Sequence, residues 1–340
     1  FLEAAAGIVM LRGGIRDAPI WFLKIIFYRK RTVIRGHQFD AQSAALLSML
    51  PKKDLSELLD GEIAKTRITL EEARIQNKVS LTPSMQVRKE DHILSRHELI
   101  LREYKPFQEN SKKVILYFHG GGYVLNSVNT HDDMVSYMSD EIGVKFYSLD
   151  YRLSPENKYP DSLDDALDAF SWLIDQGYGP GDISVCGDSA GAHLAASLCH
   201  YLAEQNKDLP SSQLLIYPMC DPSCSSESYN LLSSGYLLTK KTMIWFWDKF
   251  RNSEENNNDS AFNLLKFNFE KTLPPTIIVT GGFDPLCDDG EKYAYLLHKG
   301  KHNVKQLHYP TMFHGFASMT KLKAAQIAVE DFLKEYKKIL

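Results

Sequence analysis

The segment that says most about the fold is Ile183-Ser184-Val185-Cys186-Gly187-Asp188-Ser189-Ala190-Gly191-Ala192-His193-Leu194-Ala195-Ala196. A short apolar run breaks into a Gly-x-Ser-x-Gly pattern and continues as an alanine-rich helical pattern, which predicts a strand, a sharp turn and a helix. A serine at such a turn exposes its hydroxyl beyond the sheet, because the flanking glycines lack the Cβ atoms that would clash there. The pattern alone is weak, but the predicted strand and helix around it favour Ser189 as a nucleophile.

The composition indicates a folded globular protein. The 340 residues are 44% apolar and 24% charged, which is typical of a chain that buries a large core. Lys and Arg number 39 against 43 Asp and Glu, so the formal net charge is -4. Nucleic-acid binding usually needs a concentrated basic face, and we therefore expect no nucleic-acid partner.

The cysteines are five in number, at spacings that match no zinc-binding or thioredoxin-like pattern. We expect buried or free thiols in a reducing compartment, and hence a cytoplasmic location. A bridge between Cys220 and Cys224 is the alternative.

The apolar runs are all shorter than the roughly 20 residues that cross a bilayer. The longest, Pro19 to Tyr28, is interrupted by Lys24 and followed by Arg29-Lys30-Arg31. Residues 19–31 could therefore contact a membrane surface. We favour the alternative, an amphipathic helix that packs on its own protein.

Strand and helix patterns alternate through most of the chain. The expected strands, eight in all, are Met85–Leu94, His97–Tyr104, Val114–Phe118, Lys145–Leu149, Ile183–Cys186, Gln213–Tyr217, Thr276–Thr280 and Val304–His308. Helical patterns separate most of them, which indicates right-handed crossovers. The predicted class is α/β, with a mostly parallel eight-stranded sheet, helices on both faces and a helical cap.

The cap is predicted in two pieces. Residues 1–84 show helical patterns with no strand, and residues 219–273 are too long for a connection between a strand and a helix. The core would then comprise residues 85–218 and 274–340. The insertion carries Trp245, Phe246 and Trp247, and its position would roof the crevice at the carboxyl ends of the strands. For each tryptophan singly, ordinary packing is the simpler interpretation.

A serine nucleophile needs a base, and the base needs an orienting carboxylate. Asp284 follows the strand at 276–280, and His314 follows the strand at 304–308. The order Ser189, Asp284, His314 is the one expected on this kind of sheet. Asp284 could instead be a helix cap, and Asp288 and Asp289 are nearby carboxylates that we interpret as charges in the first turn of a helix.

The chain resembles the hormone-sensitive-lipase-like family of α/β-hydrolase carboxylesterases. The motifs that carry this resemblance are His119-Gly120-Gly121-Gly122, Asp150-Tyr151-Arg152-Leu153-Ser154-Pro155-Glu156, Gly187-Asp188-Ser189-Ala190-Gly191, Gly235-Tyr236-Leu237-Leu238-Thr239, Leu273-Pro274-Pro275, Gly282-Phe283-Asp284-Pro285-Leu286 and His314-Gly315-Phe316. They run in family order from about residue 40 to the C-terminus, and together they are highly specific.

The resemblance implies a serine carboxylesterase that forms an acyl-enzyme, with Ser189 as nucleophile, His314 as base and Asp284 as its partner. It further implies an oxyanion hole formed by the N–H groups of Gly120, Gly121 and Ala190. The residues expected to contact substrate are Gly122, Tyr123, Asp188, Trp245 and Phe283.

The expected substrate is a small acyl ester with a short- to medium-chain acyl group, and no metal or organic cofactor is needed. Homodimers are common in such a family. Two alternatives remain. The same triad could cleave amides or deacetylate small molecules, and some relatives of this fold are ligand receptors without turnover.

Overall fold

The sheet is the centre of the fold. The structure is a computed structural model that describes residues 15, 17–27, 32–50, 53–59, 61–76, 79–83 and 85–340. The strands of the main sheet are β3 (Arg88–Leu94), β4 (Leu99–Lys105), β5 (Val114–Phe118), β6 (Lys145–Leu149), β7 (Ile183–Asp188), β8 (Gln213–Ile216), β9 (Thr276–Phe283) and β10 (Val304–Phe313). Their order is β10-β9-β8-β7-β5-β6-β4-β3, and β4 alone runs in the direction opposite to the other strands. The predicted fold class is confirmed.

The helices surround this sheet. In the described ranges they are α1 (Ile20–Ile26), α2 (Ala41–Met49), α3 (Leu55–Leu59), α4 (Ile63–Gln76), α5 (Asp132–Ile142), α6 (Asp161–Asp175), α7 (Ala190–Glu204), α8 (Glu227–Leu231), α9 (Lys240–Phe250), α10 (Cys287–Lys299) and α11 (Lys323–Tyr336). None of them has the length and hydropathy needed to cross a bilayer.

The central strand β5 shows why the sheet is buried on both faces. Its five residues are apolar or aromatic and all are buried. Val114, Leu116 and Phe118 pack into one hydrophobic cluster, whereas Ile115 and Tyr117 pack into the other. Successive side chains of a strand point to opposite faces, so these two clusters are the two layers between the sheet and its helices.

Two strands continue well beyond the ends that the sequence predicted. β9 was expected to end at Thr280 and β10 at His308, but they continue to Phe283 and Phe313. The extension of β9 begins with Gly281 and Gly282, and the extension of β10 contains an irregularity in the pairing between Tyr309 and Phe313. Both features obscure a strand pattern. As a consequence, Asp284 and His314 each follow directly after a strand.

The N-terminal cap contains strands that were not predicted. Two short strands, β1 (Val33–Ile34) and β2 (His37–Gln38), pair as a hairpin around Arg35 and Gly36, whose φ angles are 51° and 80°. Strands of two residues are too short for alternation to reveal them. The expectation of an N-terminal segment without strands was therefore wrong.

The two cap segments contact each other at Asp54. Its carboxylate accepts hydrogen bonds from the hydroxyls of Thr239 and Thr242, at 2.5 and 2.8 Å, just before and inside α9. This contact joins the N-terminal helices to the insertion. The division into domains at 1–84, 85–218, 219–273 and 274–340 stays a prediction.

The five cysteines are all free and buried. Cys220 and Cys224 therefore form no bridge, and the expectation of buried thiols is confirmed.

Candidate active site

Ser189 lies in the turn between β7 and α7, where its φ angle is 54°. The turn is tight because its glycines are in contact with backbone atoms. A Cβ on Gly191 would lie 1.9 Å from the carbonyl oxygen of Phe118, and one on Gly187 would lie 2.3 Å from the carbonyl carbon of Gly191. Only glycine fits at either position, and this close packing holds the serine in its strained conformation.

The pairing of β9 with β10 places Asp284 beside His314. The two strands are parallel, and Phe283 is aligned with Phe313, so the next residue of each strand reaches the same edge of the sheet. His314 Nδ1 is 2.7 Å from Asp284 Oδ2, and His314 Nε2 is 2.9 Å from Ser189 Oγ. The structure thus brings the three predicted residues into one chain of hydrogen bonds.

Asp284 is the carboxylate that fits this arrangement. It is 1% exposed, and its other oxygen accepts a hydrogen bond from the N–H of Leu286 at 2.8 Å. The rival Asp288 instead pairs with the guanidinium of Arg35 at 2.5 Å. A buried carboxylate with both oxygens engaged keeps the imidazole in one tautomer and one orientation.

The glycine loop after β5 differs from expectation at its first glycine. The N–H of Gly120 donates to Asp188 Oδ1 at 2.8 Å, so it is not available to an oxyanion. In the described part of the chain, the N–H groups of Gly121, Gly122 and Ala190 donate to no other protein group. The assignment of Gly120 to the oxyanion hole was therefore wrong, and Gly122 is the better candidate.

The carboxylate of Asp188 holds the backbone of this glycine loop in place. Besides Gly120, it accepts a hydrogen bond from the hydroxyl of Tyr117 at 2.6 Å and lies 3.4 Å from His131 Nε2. Burial by itself would raise the pKa of the Asp188 carboxyl, but His131 and Tyr117 outweigh it and hold that pKa well below its usual range. The carboxylate is thus an ionised anchor for the backbone of the loop.

A cavity of about 130 Å³, called here the catalytic cavity, opens above the serine. Its floor is formed by the glycine loop, Ser189 and His314. Its roof is formed by apolar residues of the two cap segments, namely Leu55, Leu70, Leu237, Leu238, Met243 and Phe246. A site with a polar floor and an apolar roof suits a substrate that has one reactive polar bond between apolar groups.

Comparison with known proteins agrees with this geometry. Residues 115–318 match the family described as having the alpha/beta hydrolase fold. This chain belongs to the α/β-hydrolase fold family. The predicted resemblance of this hydrolase to the hormone-sensitive-lipase-like carboxylesterases is confirmed by its relatives.

Several relatives of the hydrolase are named esterases. An ethyl acetate hydrolase from Pseudomonas putida is 34% identical over 231 residues, covering 66% of this chain and 73% of that protein. An arylesterase from Saccharolobus solfataricus is 31% identical, covering 68% of this chain and 76% of that protein. The solved structure of an esterase from Pyrobaculum calidifontis has a TM-score of 0.75 at 30% identity, covering 82% of this chain and 94% of that one.

Three residues expected to contact substrate lie outside the catalytic cavity. The ring of Tyr123 is buried, stacks on Phe250 at 3.7 Å and pairs through its hydroxyl with His193. Phe283 is fully buried because the extension of β9 places it in the core, 4.8 Å from Phe39. Trp245 also belongs to α9, but it is not among the residues that line the cavity, and its ring packs edge-on against Phe246 at 5.6 Å. These three expectations were wrong.

The cavity also contains residues that sequence reasoning missed. Met243 and Phe246 are three positions apart on α9, so one face of that helix is directed at the cavity. This spacing was readable in the sequence and would have favoured Phe246 over Trp245. Leu55, Leu70 and the buried Arg74 come from the N-terminal helices, and no motif marks them.

Two groups of side chains in the described residues could hold a metal ion. They are Cys287 with Glu291 and His308, and Glu90 with His92 and Glu103. Neither group lines the catalytic cavity, so neither is placed to act on a substrate at Ser189.

Proposed function

We propose that this protein hydrolyses carboxylic esters by transferring an acyl group to Ser189 and then to water. The observation that carries the proposal is the bridging position of His314, 2.9 Å from the Ser189 hydroxyl and 2.7 Å from Asp284. These distances are within the range for proton transfer between a nucleophile, its base and the group that orients the base. The names of the relatives, which include an ethyl acetate hydrolase and an arylesterase, support ester bonds as the target.

The mechanism follows from the positions of the polar groups. Ser189 Oγ attacks the ester carbonyl while His314 Nε2 removes the hydroxyl proton, and Asp284 stabilises the imidazolium that forms. The carbonyl oxygen becomes an oxyanion, for which Gly121, Gly122 and Ala190 offer their N–H groups. Each such donor typically contributes about 3 kcal/mol to transition-state stabilisation. His314 then gives its proton to the departing alcohol, and water cleaves the acyl-enzyme by the same steps in reverse.

The size of the catalytic cavity supports a short- to medium-chain acyl group. Its volume of about 130 Å³ is small, and apolar residues of both cap segments line it together with Ser189. Because the roof comes from two segments of the cap, the acyl preference is a property of the cap rather than of the triad.

The decisive experiment compares the purified protein with Ser189→Ala on p-nitrophenyl acetate, butyrate and octanoate. We expect release of p-nitrophenol with turnover in the wild type, and loss of turnover in the variant. A fluorophosphonate probe should form a bond from phosphorus to Ser189 Oγ with loss of fluoride, which adds the mass of the phosphonyl group to the peptide that contains Ser189.

Three outcomes would contradict the proposal or redirect it. Wild-type rates in Ser189→Ala would exclude the serine mechanism. Faster cleavage of an anilide than of the matching ester would indicate an amide hydrolase. Tight binding of the esters without product would indicate a ligand receptor.

We also propose that α1 contacts an anionic membrane surface. In this helix only Leu23 is buried, whereas Trp21 is 65% and Ile25 is 69% exposed, with Ile20, Phe22 and Ile26 exposed beside them. Helices with an apolar outer face next to basic residues bind lipid headgroup regions. The basic residues 29–31 and Tyr28, which complete the predicted segment, lie outside the described residues.

Sedimentation with phosphatidylserine vesicles tests this contact. We expect Trp21→Ser with Ile25→Ser to reduce the bound fraction severalfold, while Ile327→Ser, an exposed isoleucine of α11, has no such effect. Equal binding of both variants would contradict the membrane proposal. A mass in solution that falls from dimer to monomer in the double variant would instead assign α1 to the expected homodimer.

A cytoplasmic location is the remaining part of the proposal. It is supported by the five free cysteines, because reducing compartments keep thiols unpaired.

A further inference from the structure

A second cavity lies next to the catalytic cavity. It measures about 640 Å³ and is called here the outer cavity. Apolar residues of α2 and of the loop before α9 form much of its wall, among them Leu47 and Tyr236, with Phe39 at its inner end. Lys53 and Glu57 lie at its exposed rim. Such a space suits an apolar group that is extended and partly in contact with water.

Leu55 and Leu237 line both cavities. Leu55 begins α3 in the N-terminal cap, and Leu237 belongs to the loop before α9 in the insertion. The two cavities are therefore neighbours with a shared wall of leucine side chains. Aliphatic side chains can change rotamer without breaking a hydrogen bond, so this wall can open at little cost.

Leu237 is held in an unusual backbone conformation. Its φ angle is +72°, in the left-handed region that residues with side chains rarely adopt. Such conformations persist only where the surroundings fix them, and they concentrate at functional sites. A Cβ on Gly315, the residue after His314, would lie 3.7 Å from Leu237 Cδ2. The leucine wall between the two cavities therefore lies next to the loop that carries His314.

Leu55 and Leu237 separate the two cavities on the side of His314, and this position indicates which part of a bound ester can extend between them. In acyl transfer from a serine, the histidine gives its proton to the departing alcohol, so the alcohol part of the ester lies on the histidine side. We propose that the alcohol part extends between Leu55 and Leu237 into the outer cavity. This inference rests on the proposed esterase function. It assigns as substrates the esters of a short acyl group with a long alkyl or aryl alcohol.

The test uses two ester series that differ only in which side is long. One runs from ethyl acetate to octyl acetate, and the other from ethyl acetate to ethyl octanoate. Ser48 lines the outer cavity and not the catalytic one, so Ser48→Phe fills the outer space alone. We expect this variant to lower the ratio of kcat/KM for octyl acetate to that for ethyl octanoate by about tenfold or more.

The matched control is Ser95→Phe, at an exposed turn between β3 and β4, which should leave this ratio unchanged. Leu237→Ala is the second variant and should raise the same ratio by widening the opening. Labelling of Ser189 by the fluorophosphonate probe shows that each variant is folded.

The proposal is overturned if both variants leave the ratio unchanged, or if Ser48→Phe acts mainly on ethyl octanoate. Either result leaves the proposed esterase function intact. Full activity of Ser189→Ala, in contrast, would remove that function whatever the ratios are.

Discussion

The floor and the roof of the catalytic cavity are held in place by different kinds of contact. On the floor, Ser189, Asp284 and His314 follow directly after strands, and hydrogen bonds of 2.7 and 2.9 Å fix their distances. The roof is an apolar surface from two cap segments that are distant in sequence. Its described polar contacts include those of Asp54 with Thr239 and Thr242.

Because of this difference in contacts, we expect the floor to determine the rate of the reaction and the roof to determine which substrates react. The register of the sheet and the tight backbone turns fix the positions of the floor residues. A substitution in the floor should therefore lower kcat. Apolar packing tolerates changes of shape, so a change in the roof should act on which substrates bind and how well. Mutations in the floor and in the roof test this difference.

The largest effect is expected for Asp284→Asn on the floor. An amide in this position favours the wrong tautomer of His314, so kcat should fall about 10⁴-fold with little change in KM. Steady-state kinetics on p-nitrophenyl butyrate measures both constants. The control is Asp288→Asn, which removes a nearby carboxylate that pairs with Arg35 instead. A loss of less than tenfold in Asp284→Asn would show that the carboxylate does not orient the base.

Gly122→Ala should have the next largest effect. Its Cβ would lie 2.3 Å from the ring of Phe246, so the loop must shift and its N–H with it. We expect kcat to fall about 10²-fold to 10³-fold, the usual result of losing one oxyanion donor.

Gly177→Ala is the control for that substitution. It has a φ angle of +94°, and a Cβ there would meet nothing within 4 Å, so it tests backbone strain without the clash. Phe246→Ala combined with Gly122→Ala should restore part of the rate. Equal losses in Gly122→Ala and Gly177→Ala would contradict the oxyanion role.

A smaller effect is expected for Asp54→Ala in the roof. Burial alone would raise the pKa of the Asp54 carboxyl, but hydrogen bonds from Ser56, Thr239 and Thr242 lower it, so the group is an ionised link between the cap segments. Removing it should raise KM about tenfold and change kcat less than threefold, because the floor stays in place. Glu62→Ala, an exposed carboxylate of the same cap, is the control. A fall in kcat at unchanged KM would contradict the separation of floor and roof.

Asp289→Asn should leave the kinetics nearly unchanged and alter the pH dependence of stability. Burial raises the pKa of the Asp289 carboxyl to about 7, and within the described residues its Oδ2 has no hydrogen-bond partner. The folded protein therefore holds this proton more tightly than the unfolded chain. The stability it contributes is full below about pH 4 and is lost as the pH rises toward 7.

Asparagine stays neutral at every pH in this range. The variant should therefore exceed the wild type at pH 8 by roughly 4 kcal/mol in the free energy of unfolding, at about 1.4 kcal/mol for each unit of pKa shift, with the difference disappearing near pH 4. Denaturant titrations at both pH values measure this, with the exposed Asp175→Asn as control. An equal difference at both pH values would show that packing, not ionisation, causes it.

The sequence predicted the floor better than the roof for a physical reason. Ser189, Asp284 and His314 lie at ends of parallel strands, and such ends meet at one edge wherever the strands are recognised. Gly120 was misassigned because a glycine loop offers several N–H groups, and only the tertiary contact with Asp188 shows which one is occupied.

The roof had no comparable signal. Leu55 and Leu237 are ordinary leucines whose place at the cavity depends on how two distant segments pack. Trp245 was expected to contact substrate, but its neighbour Phe246 lines the cavity instead. The edge hairpin of the cap was missed because its strands have two residues each. Local patterns carry no information on such long-range packing.

All five cysteines are buried, so each can react with an alkylating reagent only when the part of the protein around it unfolds. Burial raises the pKa of each thiol and leaves it protonated, which makes it a weak nucleophile toward alkylating reagents. Cys186 lies in β7 and Cys199 in α7, the strand and the helix that flank the serine turn, whereas Cys224 lies in the insertion. Timed alkylation followed by mass analysis would therefore show whether the insertion detaches before the sheet unfolds, without any added label.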